Sequence, residues 1–132
     1  MRIGVDLGGH TILAAGVHDG GSGRAPRIGR TVTIATPKRR GISDVIAAIG
    51  GVIEDLASDG GASAVGVAVP GMVDLDRRRA RRLPNFPSEW DDTDVPEALS
   101  LALASRGLDI PVAIENDANC AALGEGSAGE AV

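Results

Sequence analysis

The chain has 132 residues, one domain's worth, and its single Phe, single Trp and absence of Tyr require an aliphatic core. A net charge of −5 argues against a general nucleic-acid binder, and no apolar run approaches the roughly 20 residues of a membrane span. The lone cysteine, Cys120, excludes an internal disulfide and a thiolate zinc cluster, and the start lacks a signal peptide's apolar block, so a cytoplasmic location is expected.

Residues Arg2 to Leu7 alternate, with Ile3, Val5 and Leu7 on one face, and read as a strand running into Gly8 and Gly9. Thr11 to Val17 is a returning strand and Ile28 to Thr36 a third, an antiparallel meander closed by Pro37. Helical spacing follows at Ile42, Val45, Ile46, Ile49, Val52, Ile53 and Leu56, with Ser43 as the expected N-cap and Gly60 and Gly61 as the stop. Gly50 and Gly51 each weaken that helix by about 1 kcal/mol, which points to close packing against another element.

Ala64 to Val69 reads as a strand covered on both faces, reached through a crossover helix. Met72 to Trp90 is an irregular excursion with a small hairpin around Asp74 to Arg82. Asp94 and Glu97 form a capping box for a helix with Val95, Ala98, Leu99, Ala102 and Leu103 on its apolar face, ending at Gly107. Pro111 to Glu115 is the fifth main strand and Asp117 to Leu123 a further helix. The expected class is α/β, in the order βββαβαβα, with a mixed five-stranded sheet in one domain over 1–132.

Four stretches can carry chemistry. Asp6, Gly8, Gly9, His10 and Thr11 form a strand end and tight turn whose amides can approach phosphate oxygens, with Asp6 placed to hold Mg2+ directly or through water. An ordinary hairpin turn beside a solvated Asp6 explains the same residues. Val69 to Asp74 empties a strand into a Pro70–Gly71 turn at the sheet edge that ligands favour in α/β folds, although a plain turn accounts for it as well. In Leu83 to Trp90, Asn85 offers an amide to vicinal hydroxyls or caps a local turn, while Phe86 and Trp90 cover the core.

Asn116 and Asp117 end the last strand, with Asn119 following; Asp117 suits a general base and equally a helix N-cap. Cys120 reads as a small buried helix residue. The basic runs Lys38 to Arg40 and Arg77 to Arg82 read as solvated surface, the second balanced by Asp74, Asp76, Asp91 and Asp92. His10 and His18 make no ligand set with one cysteine.

The order of these segments, Asp6 to Thr11, Val69 to Asp74, Leu83 to Asn85 and Glu115 to Glu125, resembles the ROK family of sugar kinases across essentially the whole chain, and the last segment looks like its bacterial glucokinases. The fold this implies is the ribonuclease-H-like lobe shared by actin and the hexokinases. The activity it implies is ATP-dependent phosphorylation of a hexose, with ATP and Mg2+ as cofactors. By the resemblance, Asp117 is the catalytic base; Asn85, Asn116 and the Gly71 turn hold the sugar; Asp6, Gly8 and Gly9 face phosphates and metal. The family usually has Thr and then Lys or Asn after the two glycines; here His10 precedes Thr11, so the hydroxyl that would contact phosphate is displaced or missing, with His10 as the alternative donor.

The family's second phosphate segment, its sugar-binding Glu and His residues and its zinc cluster lie downstream of this motif. The expected object is therefore an N-terminal lobe without its C-terminal partner, inactive alone, and prone to self-association or to pairing with that missing lobe. Two other readings are a sugar-sensing ROK regulator, disfavoured because a strand starts at Arg2 with no DNA-binding segment ahead of it, and a noncatalytic sugar-binding module.

Overall fold

The structure, a computed structural model, describes residues 1–20 and 23–116. Strands β1 (Arg2–Leu7), β2 (Thr11–His18) and β3 (Arg27–Ala35) form the expected meander. Helix α1 (Ile42–Ala57) leads to β4 (Ala64–Val69); a short hairpin of β5 (Met72–Val73) and β6 (Ala80–Arg81) and a 3-10 turn (Ser88–Asp92) precede α2 (Val95–Ala104) and β7 (Val112–Asn116). The main sheet runs β3-β2-β1-β4-β7, antiparallel on the β3 side and parallel from β1 to β7. This is the mixed five-stranded, ribonuclease-H-like sheet read from the sequence. The final helix of that reading, Asp117 to Leu123, lies outside the described residues.

Alternation in the strands sets the two faces of the sheet. Ile3, Val5, Leu7, Ile12, Ala14, Val65, Val67, Val69 and Ile114 are buried on one face, where α1 and α2 supply Val45, Ile49, Ile53, Leu56, Leu99 and Leu103. Each buried Val, Leu or Ile contributes roughly 1.5–3 kcal/mol. The β4 strand departs from the expectation of cover on both faces: Val65, Val67 and Val69 are buried, whereas Gly66 on its other face is exposed. Among the described residues, no helix is long and apolar enough to cross a membrane.

The helix glycines pack as expected. A Cβ on Gly50 would meet Ala102 Cβ at 3.8 Å and Arg106 Nε at 3.2 Å, so the missing side chain lets α2 and its following turn approach. The start of α1 corrects the sequence reading. Gly41, not Ser43, is the N-cap, and Glu89 from the 3-10 turn accepts from Ile42 N–H at 3.2 Å. A carboxylate brought in from a distant turn satisfies an orphan donor and complements the helix dipole, so no local cap is needed.

At the edge, Arg30 of β3 donates to Asp55 and Asp59 at the end of α1, where carboxylates oppose the helix dipole. That pairing holds the Asp59 carboxyl below its usual range.

Asp94 caps α2 as read, accepting from Glu97 N–H at 3.0 Å, and it pairs with Arg78. Partial burial pulls the Asp94 carboxyl upward, but the Arg78 guanidinium and the Glu97 amide outweigh it and hold the group below its usual range. A depressed carboxyl stabilises the fold at neutral pH, and that stabilisation disappears as pH falls through the folded-state value. Asp94→Ala is expected to lower unfolding free energy by about 1 kcal/mol at neutral pH, with the difference from wild type shrinking below pH of about 4. Urea denaturation across that pH range measures both.

Candidate phosphate and sugar site

Three parallel strands end at one edge of the sheet. β1 runs out into Gly8, β4 into Pro70 and Gly71, and β7 closes on Asn116, with Asp6 beside Ala68 and Val69 beside Asn116 in the register. Ligands of open α/β sheets bind outside such carboxyl ends.

The Gly8–Gly9 turn has its carbonyls tied down. Gly8 N–H donates to Thr11 O at 3.0 Å, and a Cβ on Gly8 would lie 2.8 Å from that same oxygen, so only glycine fits. Thr36 Oγ1 donates to Gly8 O at 2.8 Å and Arg40 Nε to Gly9 O at 2.7 Å, both from the loop joining β3 to α1. No peptide bond is cis, and in a trans peptide the N–H points opposite to the C=O. The amides of Gly9 and His10 are therefore turned away from that loop, and among the described residues neither has an acceptor. Two such amides side by side form a cradle for anionic oxygens.

Asp6 and Thr11 flank this cradle, both exposed, and Asp6 lies on the sheet face away from α1 and α2. Exposed His10 follows the turn, where its ring is accessible to a ligand. Among the described residues there is no group of three or more His, Cys, Asp and Glu able to enclose a metal ion. A single carboxylate beside a phosphate cradle fits Mg2+, which keeps several waters and shares phosphate oxygens, better than a cation that demands a full protein cage.

Asn116 and Gly71 meet directly. Asn116 Nδ2 donates to Gly71 O at 2.6 Å, a bond between residues that the sequence placed together only as parts of a sugar site. Gly71 sits under the hairpin, where a Cβ would be 2.4 Å from Arg81 O and 2.9 Å from Leu83 Cδ1. Glu115 accepts from Asn116 N–H at 2.9 Å and pairs with Arg77 from the hairpin, binding hairpin and strand end together.

Asn85 is exposed and left-handed, with φ of +67°, a conformation that Asn tolerates better than most residues. Phe86 N–H donates to Leu83 O at 3.2 Å, so Asn85 occupies a turn by its backbone while its side chain faces solvent. Arg40 Nη1 donates to Asn85 O at 3.2 Å, and this guanidinium joins the Gly8–Gly9 turn to the Asn85 loop. Trp90, fully buried, stacks edge-to-face on Phe86 at 5.4 Å and donates to Arg40 O at 2.8 Å. Asp117, the residue read as the base, lies outside the described residues, as do Asn119 and Cys120.

Sequence reasoning missed Thr36, Arg40, Arg77 and Glu115. The run Lys38 to Arg40 was visible as charge; its third member turns inward to accept and donate backbone bonds.

Gly8→Ala and Gly71→Ala each push a methyl into backbone oxygen and are expected to cost about 1–3 kcal/mol. Gly9→Ala, whose nearest neighbour would be Arg40 Nε at 3.8 Å, is expected to cost less than either. Thermal unfolding of the three variants tests the ranking.

The ROK family model matches residues 2–132. A glucokinase of Thermotoga maritima is 34% identical over 123 residues, covering 93% of this chain and 35% of that protein. A glucokinase of Streptomyces coelicolor is 32% identical over 125 residues, covering 95% of this chain and again 35% of its relative. The chain thus spans about a third of the length of the curated relatives it matches. Among solved structures, a ROK family glucokinase from Streptomyces griseus in complex with glucose and AMPPNP superposes with a TM-score of 0.79 at 31% identity, over 97% of this chain and 36% of that one. An inorganic polyphosphate/ATP-glucomannokinase from Arthrobacter sp. gives the same TM-score of 0.79 at 28% identity, over 97% and 48%. With a family model matched over all but its first residue, the chain belongs to the ROK family.

Proposed function

We propose that this chain is the N-terminal lobe of an ATP-dependent hexose kinase, carrying the catalytic base Asp117 and most of one wall of the sugar site. The observation that carries this reading is the meeting, at one sheet edge, of a two-amide phosphate cradle with Gly71, Asn116 and the Arg40-linked Asn85 loop. Glucokinase relatives and a glucokinase structure holding glucose and AMPPNP support a hexose as acceptor and ATP as donor.

In the proposed reaction the hexose hydroxyl oxygen attacks the γ-phosphorus, the bond from that phosphorus to the β,γ-bridging oxygen breaks, and the hydroxyl proton passes to the Asp117 carboxylate. A carboxylate of ordinary basicity suffices, because a loose phosphoryl-transfer transition state needs alignment and late proton removal. Mg2+ bound with the nucleotide would neutralise phosphate charge, and Asp6 is the residue that would hold it. The Gly9 and His10 amides orient phosphate oxygens, with the His10 ring as a further donor and Thr11 beside it. Asn85 and Asn116 orient the sugar, and the Gly71 turn shapes the wall behind it.

The remaining sugar and phosphate contacts are assigned to a C-terminal lobe. The 132-residue chain mixed with ATP, Mg2+ and glucose is expected to give no turnover above background; robust activity would sink the two-lobe requirement. Replacing the matched third of the Thermotoga maritima glucokinase by this chain should restore hexose phosphorylation. In that chimera, Asp117→Asn should lower kcat by about 10²–10⁴-fold with KM for glucose changed less than about threefold. Steady-state kinetics with unchanged kcat would remove Asp117 from the role of base.

A further inference from the structure

Arg40 is partly buried, and its guanidinium donates to two backbone carbonyls, Gly9 O at 2.7 Å and Asn85 O at 3.2 Å. These carbonyls belong to the turn assigned above to phosphate and to the loop assigned to sugar. Arg40's own carbonyl is fixed by Trp90 Nε1 at 2.8 Å, and its N–H donates to Pro37 O at 2.9 Å. Among the described residues no carboxylate pairs with it, in contrast to Arg77, Arg78, Arg79 and Arg81 of the hairpin. The backbone at Arg40 is left-handed, with φ of +52°, so an unfavourable conformation is retained in a residue whose side chain bridges two loops.

We propose that Arg40 is a positioning residue that couples the two halves of the site, so that an anion seated on the Gly9 and His10 amides is transmitted to the Asn85 loop. The proposal rests on the phosphate-cradle reading above. Its physics is short-ranged. A cation hydrogen-bonded to Gly9 O polarises the Gly9–His10 peptide and strengthens His10 N–H as a donor to phosphate. With no carboxylate paired to it among the described residues, the guanidinium adds a field that favours an anion at the turn and opposes that of the flanking Asp6 carboxylate. The planar guanidinium fork holds two carbonyls in a fixed relation, which a lysine ammonium on a flexible stem does not reproduce. A shift of the Gly9–His10 peptide as its N–H engages a bound anion moves the Gly9 carbonyl with it and is therefore carried through Arg40 to Asn85 O.

The test uses the 132-residue chain, 15N-labelled and titrated with inorganic pyrophosphate and with AMPPNP, while the amide signals of Gly9, His10, Asn85 and Phe86 are followed. In the wild type all four are expected to shift together. Arg40→Gly suits a left-handed backbone and keeps the carbonyl that Trp90 holds, so its melting temperature and Trp90 fluorescence should stay close to wild type. It should bind pyrophosphate at least about tenfold more weakly, with no response at Asn85 and Phe86. Arg40→Lys keeps the charge without the fork; it should recover part of the affinity and none of the Asn85 response, and it carries the test alone if Arg40→Gly does not fold. Wild-type affinity in Arg40→Gly, or an undiminished Asn85 response in either variant, overturns the proposal and leaves the kinase reading standing. A wild type whose Gly9 and His10 amides ignore both anions removes the phosphate cradle, and the coupling falls with it.

Discussion

Because β1, β4 and β7 run parallel and adjacent, the register that buries their apolar faces also fixes where their carboxyl ends lie. Ile3 beside Val65, Val5 beside Val67 and Val67 beside Ile114 are in-register pairs on the buried face. A slip of one residue in β1 would turn Ile3, Val5 and Leu7 outward and drive Asp6 into the core. Exposing three aliphatics forfeits roughly 1.5–3 kcal/mol each, and an unpaired buried carboxylate costs several more. The turn after β1 and the Asn116 end of β7 are therefore located by the core, with no contribution required from a ligand.

Within that frame the site is organised through backbone groups. Thr36 and Arg40 hold the Gly8 and Gly9 carbonyls, Asn116 holds the Gly71 carbonyl, and Arg40 again holds the Asn85 carbonyl. Each bond contributes about 0.5–1.5 kcal/mol, enough together to offset the roughly 1–2 kcal/mol of a left-handed Arg40. Donors fixed before a ligand arrives need no reorganisation during charge transfer, the condition under which electrostatic stabilisation of a transition state is largest.

The elements that shape this site were legible where the signal is local. Alternation in β1, the glycine turn, the helical spacing of α1 and the Asp94 cap each involve residues within a few positions of one another, and the structure bears them out. Ser43 failed as a cap because Glu89, 47 positions from Ile42, does that work. The Arg40–Gly9 and Asn116–Gly71 bonds were opaque for the same reason, although Asn116 and Gly71 were each read as sugar-site residues: the carbonyls lie 31 and 45 positions away, and no spacing rule encodes a side chain reaching a distant backbone oxygen. Asn85 was ambiguous between turn and ligand contact, and the structure makes it a turn residue by backbone while leaving its side chain exposed. The proton-accepting role assigned to Asp117 rests on motif and family, since that residue lies outside the described ones.

Charge clusters show how far placement outweighs composition. The sequence presents a dense arginine run at the hairpin and a shorter basic run before α1, and by count the first would dominate the local potential. In the fold, Arg77 and Arg78 face Glu115 and Asp94 and hold the hairpin against the strand end and the start of α2, while Arg79 and Arg81 face Asp76 and Asp74 within the hairpin itself. Exposed pairs of this kind add little stability singly, but as a set they fix the orientation of a loop that covers Gly71. The shorter run puts Arg40 against two carbonyls and, among the described residues, against no carboxylate, so its charge persists beside the Gly8–Gly9 turn. The field at that turn combines the Arg40 guanidinium with the Asp6 carboxylate that flanks it, and it falls off within about 10 Å in salt, so the net charge of the whole chain does not decide it.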